Sequence, residues 1–143
     1  MSQWSRWTGW TGWAGLMVLG ALTPGVAVAA EFDGSAPMLC AVIDVVECDR
    51  GAGCESLEAA DIGLPPFLRV DVSGKALEAT DGSGRKTPIH SSTLVKERER
   101  LLVQGGEQGR AWSVVIAQKT GAMTAAIVDH DGGFLVSGAC TLP

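Results

Sequence analysis

Two histidines, His90 and His130, are the bases that this sequence offers near neutral pH. His130 stands between two carboxylates in Asp129-His130-Asp131-Gly132-Gly133, where imidazole and carboxylate could pass a proton or hold a cation. Neighbouring side chains on an extended strand point to opposite faces, so Asp129, His130 and Asp131 converge only if the chain turns there. Asp and Gly are also the residues that hairpin turns demand, and the segment reads as a turn. The cluster still supports a rival reading, a small hydrolase or metal-dependent enzyme built on His130. Asp81-Gly82-Ser83-Gly84 has the local look of a serine nucleophile, but no Gly-x-Ser-x-Gly elbow is present and a turn accounts for it. Asp44 to Glu55 has the length of a calcium loop. Valine and cysteine occupy its ligand positions, however, and Asp49 stands where such a loop needs glycine. Lys96-Glu97-Arg98-Glu99-Arg100, if extended, would set Lys96, Arg98 and Arg100 on one face as an anion-binding row; such runs more often form a solvated edge. No catalytic, cofactor-binding or metal-ligating residue is assigned, and no cofactor is expected.

The four cysteines need a compartment before they need a role. Residues 1–30 read as a secretory signal peptide, with Arg6 as the early charge and an apolar run from Trp13 to Leu22. Pro24-Gly25 breaks the run before Ala27-Val28-Ala29-Ala30, with cleavage expected after Ala29 or Ala30. Glycines interrupt the stretch and leave it short of the ~20 apolar residues of a bilayer span; an uncleaved anchor is the alternative, and the only membrane tie expected. Trp4, Trp7, Trp10 and Trp13 fall in this leader, and steps of three drift around a helix instead of forming a straight stripe. There is no twin arginine, and Leu39 before Cys40 rules out a lipobox. Export makes the oxidised state the default for Cys40, Cys48, Cys54 and Cys140. Leu39 to Glu47 reads as a strand, which holds Cys40 and Cys48 roughly 26 Å apart, too far for a bond. Two pairings remain. The glycines of Asp49-Arg50-Gly51-Ala52-Gly53 let the chain double back, which favours Cys48–Cys54 with Cys40–Cys140. No Cys-x-x-Cys signals a redox or zinc site.

Beyond the leader, the aromatics are Trp112, Phe32, Phe67 and Phe134. The net charge of -5 and the lack of a basic patch argue against nucleic acid as a partner. So few aromatics argue against a base- or glycan-stacking surface. Residues 31–143 suffice for one domain with one core.

That core is built from strands. Short runs at 67–72, 76–80, 88–94, 101–104, 111–118, 122–129 and 134–140 are separated by Gly-rich turns, at Ser73-Gly74, 81–84, 105–109, 119–121 and 130–132. This regular punctuation predicts an all-β antiparallel meander, a small closed or partly open β-barrel, with a sandwich as the alternative. One short helix is expected near 56–61, with Ser56 as its N-cap and Gly63-Leu64-Pro65-Pro66 as its stop. The last three strands carry apolar or small residues on both faces, which a half-solvated sheet would not. Either residues 56–66 cover one of those faces, or a partner does.

The chain resembles an uncharacterised family of small exported proteobacterial proteins. The likeness rests on Cys40-Ala41-Val42, Glu47-Cys48-Asp49, Gly53-Cys54, Leu64-Pro65-Pro66-Phe67, Gly109-Arg110-Ala111-Trp112-Ser113, Thr120-Gly121-Ala122-Met123-Thr124 and Gly138-Ala139-Cys140. It implies a bacterial, periplasmic address (extracellular as the alternative) and brings no activity. Taken together, the residues point to a non-enzymatic, disulfide-stapled envelope module. Its partner would be a protein, a second copy meeting the C-terminal strands, or a small apolar ligand. A purely structural envelope protein is the third reading.

Overall fold

Strand β1 (Met38–Asp49) is twelve residues long and shares hydrogen bonds with three other strands. The structure, a computed structural model, describes residues 31–143; the expected leader and its cleavage site at Ala29 or Ala30 lie outside them. After β1 come β2 (Gly53–Leu57), β3 (Phe67–Asp71), β4 (Ala76–Ala79), β5 (Lys86–Val95), β6 (Arg100–Glu107), β7 (Arg110–Ala117), β8 (Ala122–Val128) and β9 (Gly132–Thr141). From β3 onward each strand pairs antiparallel with the next, and β9 returns to β1. Eight strands therefore close a meander barrel, with β2 outside the ring as one extra strand. One edge of β1 runs along β9 from Leu39 to Asp49. Its other edge is divided, Met38–Ala41 against β3 and Val45–Asp49 against β2.

A bulge makes this long strand serve one core. The ladder with β9 shifts between Val42 and Asp44, leaving Ile43 as the extra residue, 65% exposed. Side chains alternate strictly along a regular strand, so Cys40 and Val45, an odd step apart, would face opposite ways. The inserted residue resets the alternation, and both are buried.

The inward residues fill the barrel in layers. Leu101 and Ile116 lie deep, Val103, Val114, Ala125, Val136 and Val45 midway, and Trp112 nearer the far end. The deep end is sealed from within the chain. Phe32 packs on the core, its N–H donates to Gln118 O at 2.9 Å, and Gln118 is itself buried. Gly121, at φ 71°, lies directly beneath the Phe32 ring, and a Cβ there would collide with it. At the same end Cys40 and Cys140 face each other across the β1–β9 ladder and are disulfide-bonded, Cα–Cα 3.9 Å. Cys48 and Cys54 are likewise opposite each other and bonded across the β1–β2 hairpin. Two disulfides fit an oxidising compartment.

Three local expectations change, and one alternative reading falls. The short helix is a 3-10 turn at Ala59–Ile62, and Ser56 belongs to β2 instead of capping it. Gly51 and Gly53 adopt φ 84° and 95°, which allows the tight β1–β2 hairpin whose return strand the sequence reading lacks. Lys96–Arg98 winds into a 3-10 turn that Glu99 ends at φ 51°, so Lys96, Arg98 and Arg100 form no extended row. Gly105 to Glu107 continue β6 and do not form a loop; strands on both sides supply the ladder bonds that glycine propensity alone would not predict.

The two cross-links close loops of very different length, with sequence separations of 100 and 6. Loop entropy makes the long closure worth about 4.7 kcal/mol and the short one about 2 kcal/mol. In urea melts, Cys40→Ala with Cys140→Ala should therefore destabilise the protein at least twice as much as Cys48→Ala with Cys54→Ala. Equal losses would contradict this.

Candidate ligand cavity

The barrel wall is low on one side. Strands β3 and β4 are short and, beyond their pairing with each other, meet only the first residues of β1 and Lys86–Pro88 of β5. Residues 58–66 cross this gap. Their turn is held by Asp61 N–H to Glu58 O at 3.0 Å and by Glu58 N–H to the Asp61 carboxylate at 3.1 Å. Gly63, left-handed at φ 66°, reverses the chain so that Ile62 and Leu64 turn inward against the core. The exit is fixed by Val42 N–H to Pro66 O at 2.9 Å, and Arg85 Nη2 donates to Gly63 O at 2.9 Å from the β4–β5 loop. This segment closes the mouth. It does not cover the outer face of the C-terminal strands, where Val115, Val128 and Leu135 remain exposed.

Beneath the segment lies a cavity of about 260 Å³. Its walls are Leu68, Val70 and Leu77 on one side and Trp112, Val114, Met123, Ala125, Ile127, Phe134 and Val136 on the other. Thr87, Arg85, Glu107 and Arg110 complete its rim. The alternation of β7 places Arg110, Trp112, Val114 and Ile116 on the inward face, from rim to floor. Opposite Trp112 across the β6–β7 ladder is Gly105, and a Cβ there would strike the indole ring and Pro88 O. Glycine at this position lets the ring lie against the β6 backbone. Trp112 is 8% exposed, and its Nε1 has no hydrogen-bond partner among the described residues. A buried indole N–H, which can only donate, is normally paired.

The rim groups have partial partners. The Glu107 carboxylate accepts from Thr87 Oγ1 at 2.9 Å, and Arg110 Nε lies 3.7 Å from the Asp129 carboxylate. With apolar walls and a few polar groups at one end, the arrangement can take up an apolar body and orient it by one polar end.

The residues singled out for chemistry fall elsewhere. His90 sits at the irregularity in the β5–β6 ladder between Ile89 and Ser91, exposed. Asp129, His130 and Asp131 form the β8–β9 turn, as the composition favoured. Asp129 Oδ1 accepts the N–H groups of Asp131 at 2.9 Å and Gly132 at 3.2 Å, and His130 Nε2 lies 2.9 Å from Asp131 with 88% of its side chain exposed. None of the four lines the cavity. Among the described residues, no three His, Cys, Asp or Glu side chains gather as metal ligands. Asp81 repeats the turn pattern, accepting Ser83 N–H at 2.9 Å. The cavity residues gave one signal in sequence, the apolar surplus of the last three strands; the inward turn of Ile62 and Leu64 gave none. The chain matches no family model, no curated protein and no solved structure.

Hydrogen bonds to the charged form hold three turn carboxylates below their ordinary value: Ser35 for Asp33, Ser83 for Asp81, and the Asp131 and Gly132 amides for Asp129. The unfolded chain then binds protons more readily than the folded one. The stabilisation is complete above the ordinary aspartate value near 3.9 and drains away as pH falls through the folded values. Asn keeps an acceptor at the turn without titrating. Asp129→Asn should therefore flatten the loss of thermal stability below about pH 4 relative to the parent protein. An unchanged slope would show that Asp129 contributes nothing to it.

Proposed function

We propose that this protein is a non-enzymatic binding module of the bacterial cell envelope, exported to the periplasm, that holds a small apolar ligand inside its barrel. The observation that carries this reading is the apolar cavity under residues 58–66. An apolar cavity of about 150 Å³ stays dry and accepts benzene, so 260 Å³ accommodates a short alkyl chain or a bicyclic ring. A collapsed core would be filled instead, because interiors pack to crystal density. Oxidised cysteines support export.

Calorimetric titration of the oxidised exported protein with 1-octanol tests it. Saturable one-to-one binding is expected, weakened at least tenfold by Ala125→Phe, which puts a ring into the cavity, with a cooperative melt retained. Absence of saturation by 1-octanol in the parent protein defeats the reading.

A protein partner is the second reading, favoured by one specific feature. Ile43, Val128 and Leu135 stand 65%, 48% and 52% exposed on the outer wall of β1, β8 and β9, and Leu135 faces Val46 and Ala126 across the two ladders. Light scattering should then show association that Leu135→Glu abolishes; a concentration-independent monomer that retains no partner from envelope extract speaks against it.

A further inference from the structure

We propose that the ligand carries an anionic, hydrogen-bond-accepting head, a carboxylate on a short apolar tail, with the tail in the barrel and the head between Arg85 and Arg110. The inference rests on the cavity reading above and adds the head-group chemistry to it.

The argument is a ledger of donors and acceptors. Arg85 gives one N–H to Gly63 O, and a guanidinium has five to give. Arg110 Nε lies 3.7 Å from the Asp129 carboxylate, beyond hydrogen-bond length. Against these donors the cavity lining offers one carboxylate, Glu107, already accepting from Thr87. A hydrocarbon would leave the two guanidiniums to water alone. An ammonium head would meet two guanidiniums. A carboxylate supplies about four lone-pair sites, and its planar geometry matches the guanidinium fork. The walls below the rim are apolar, so the charge stays at the mouth, where water still reaches it.

Titrating the oxidised exported protein with octanoate, 1-octanol and octylammonium holds the tail constant and varies only the head. Octanoate should bind at least tenfold tighter than either, and Arg110→Gln should bring it down to the level of 1-octanol while leaving 1-octanol within twofold. Arg110 is exposed at a strand end, so the substitution spares the core; Arg85→Gln provides a second variant with the same expected loss. Octanoate no tighter than 1-octanol, or octylammonium tightest of the three, overturns the head assignment and leaves the cavity reading standing. Failure of all three to bind overturns both.

Discussion

Closing the ring places its heaviest demand on β1. A barrel abolishes its edges only if the first and last strands meet in register, and β1 must do this while its other side serves both β2 and β3. Period-two alternation leaves no slack, since a slip of one residue would turn every inward side chain outward. The residue inserted at Ile43 reconciles the two halves. Cys40 in the first half and Val45 in the second then enter the same core, and the Cys40–Cys140 bond falls on a directly opposed pair. The cavity, the floor and the mouth are all built on that register.

The two ends of the barrel obey different physics. At the floor, Phe32, Met38, Leu101 and the buried disulfide pack together, and polar atoms such as the Gln118 carbonyl are satisfied by backbone. At the mouth, short strands leave a gap that a segment of irregular backbone must fill. Irregular backbone carries its own polar groups, which explains why that segment is laced by the Glu58–Asp61 bonds, the left-handed Gly63 and the Arg85 guanidinium. Polar groups are thus drawn to the same end as the unfilled space.

Much of the scaffold was legible because it is written in local alternation and turn residues. The glycine and Asp/Ser punctuation at 73–74, 81–84 and 130–132 marks real turns, and the alternation of 111–117 and 122–128 gives the faces of β7 and β8. What was illegible depended on distant partners. Gly105 and Gly106 look like loop residues, and only Trp112 and the flanking strands make them strand. The bulge at Ile43 adds a residue to an otherwise uniform apolar run, with no glycine or proline to announce it. The apolar surplus of the last strands suggested cover by residues 56–66, yet those residues turn into the mouth. Nor does any short motif predict that Arg85, Arg110 and Trp112 share one cavity, because 27 positions separate the first from the last.

The short stature of β3 and β4 has a kinetic corollary. Residues 58–66 are held by the Arg85–Gly63 bond and the Val42–Pro66 bond, and not by the ladders that close the barrel. Swinging that flap aside breaks no inter-strand pairing within the ring, so the mouth can open by a sub-global fluctuation. Opening of the mouth and resistance to denaturation are therefore set by separate parts of the molecule, and evolution can tune the one without disturbing the other.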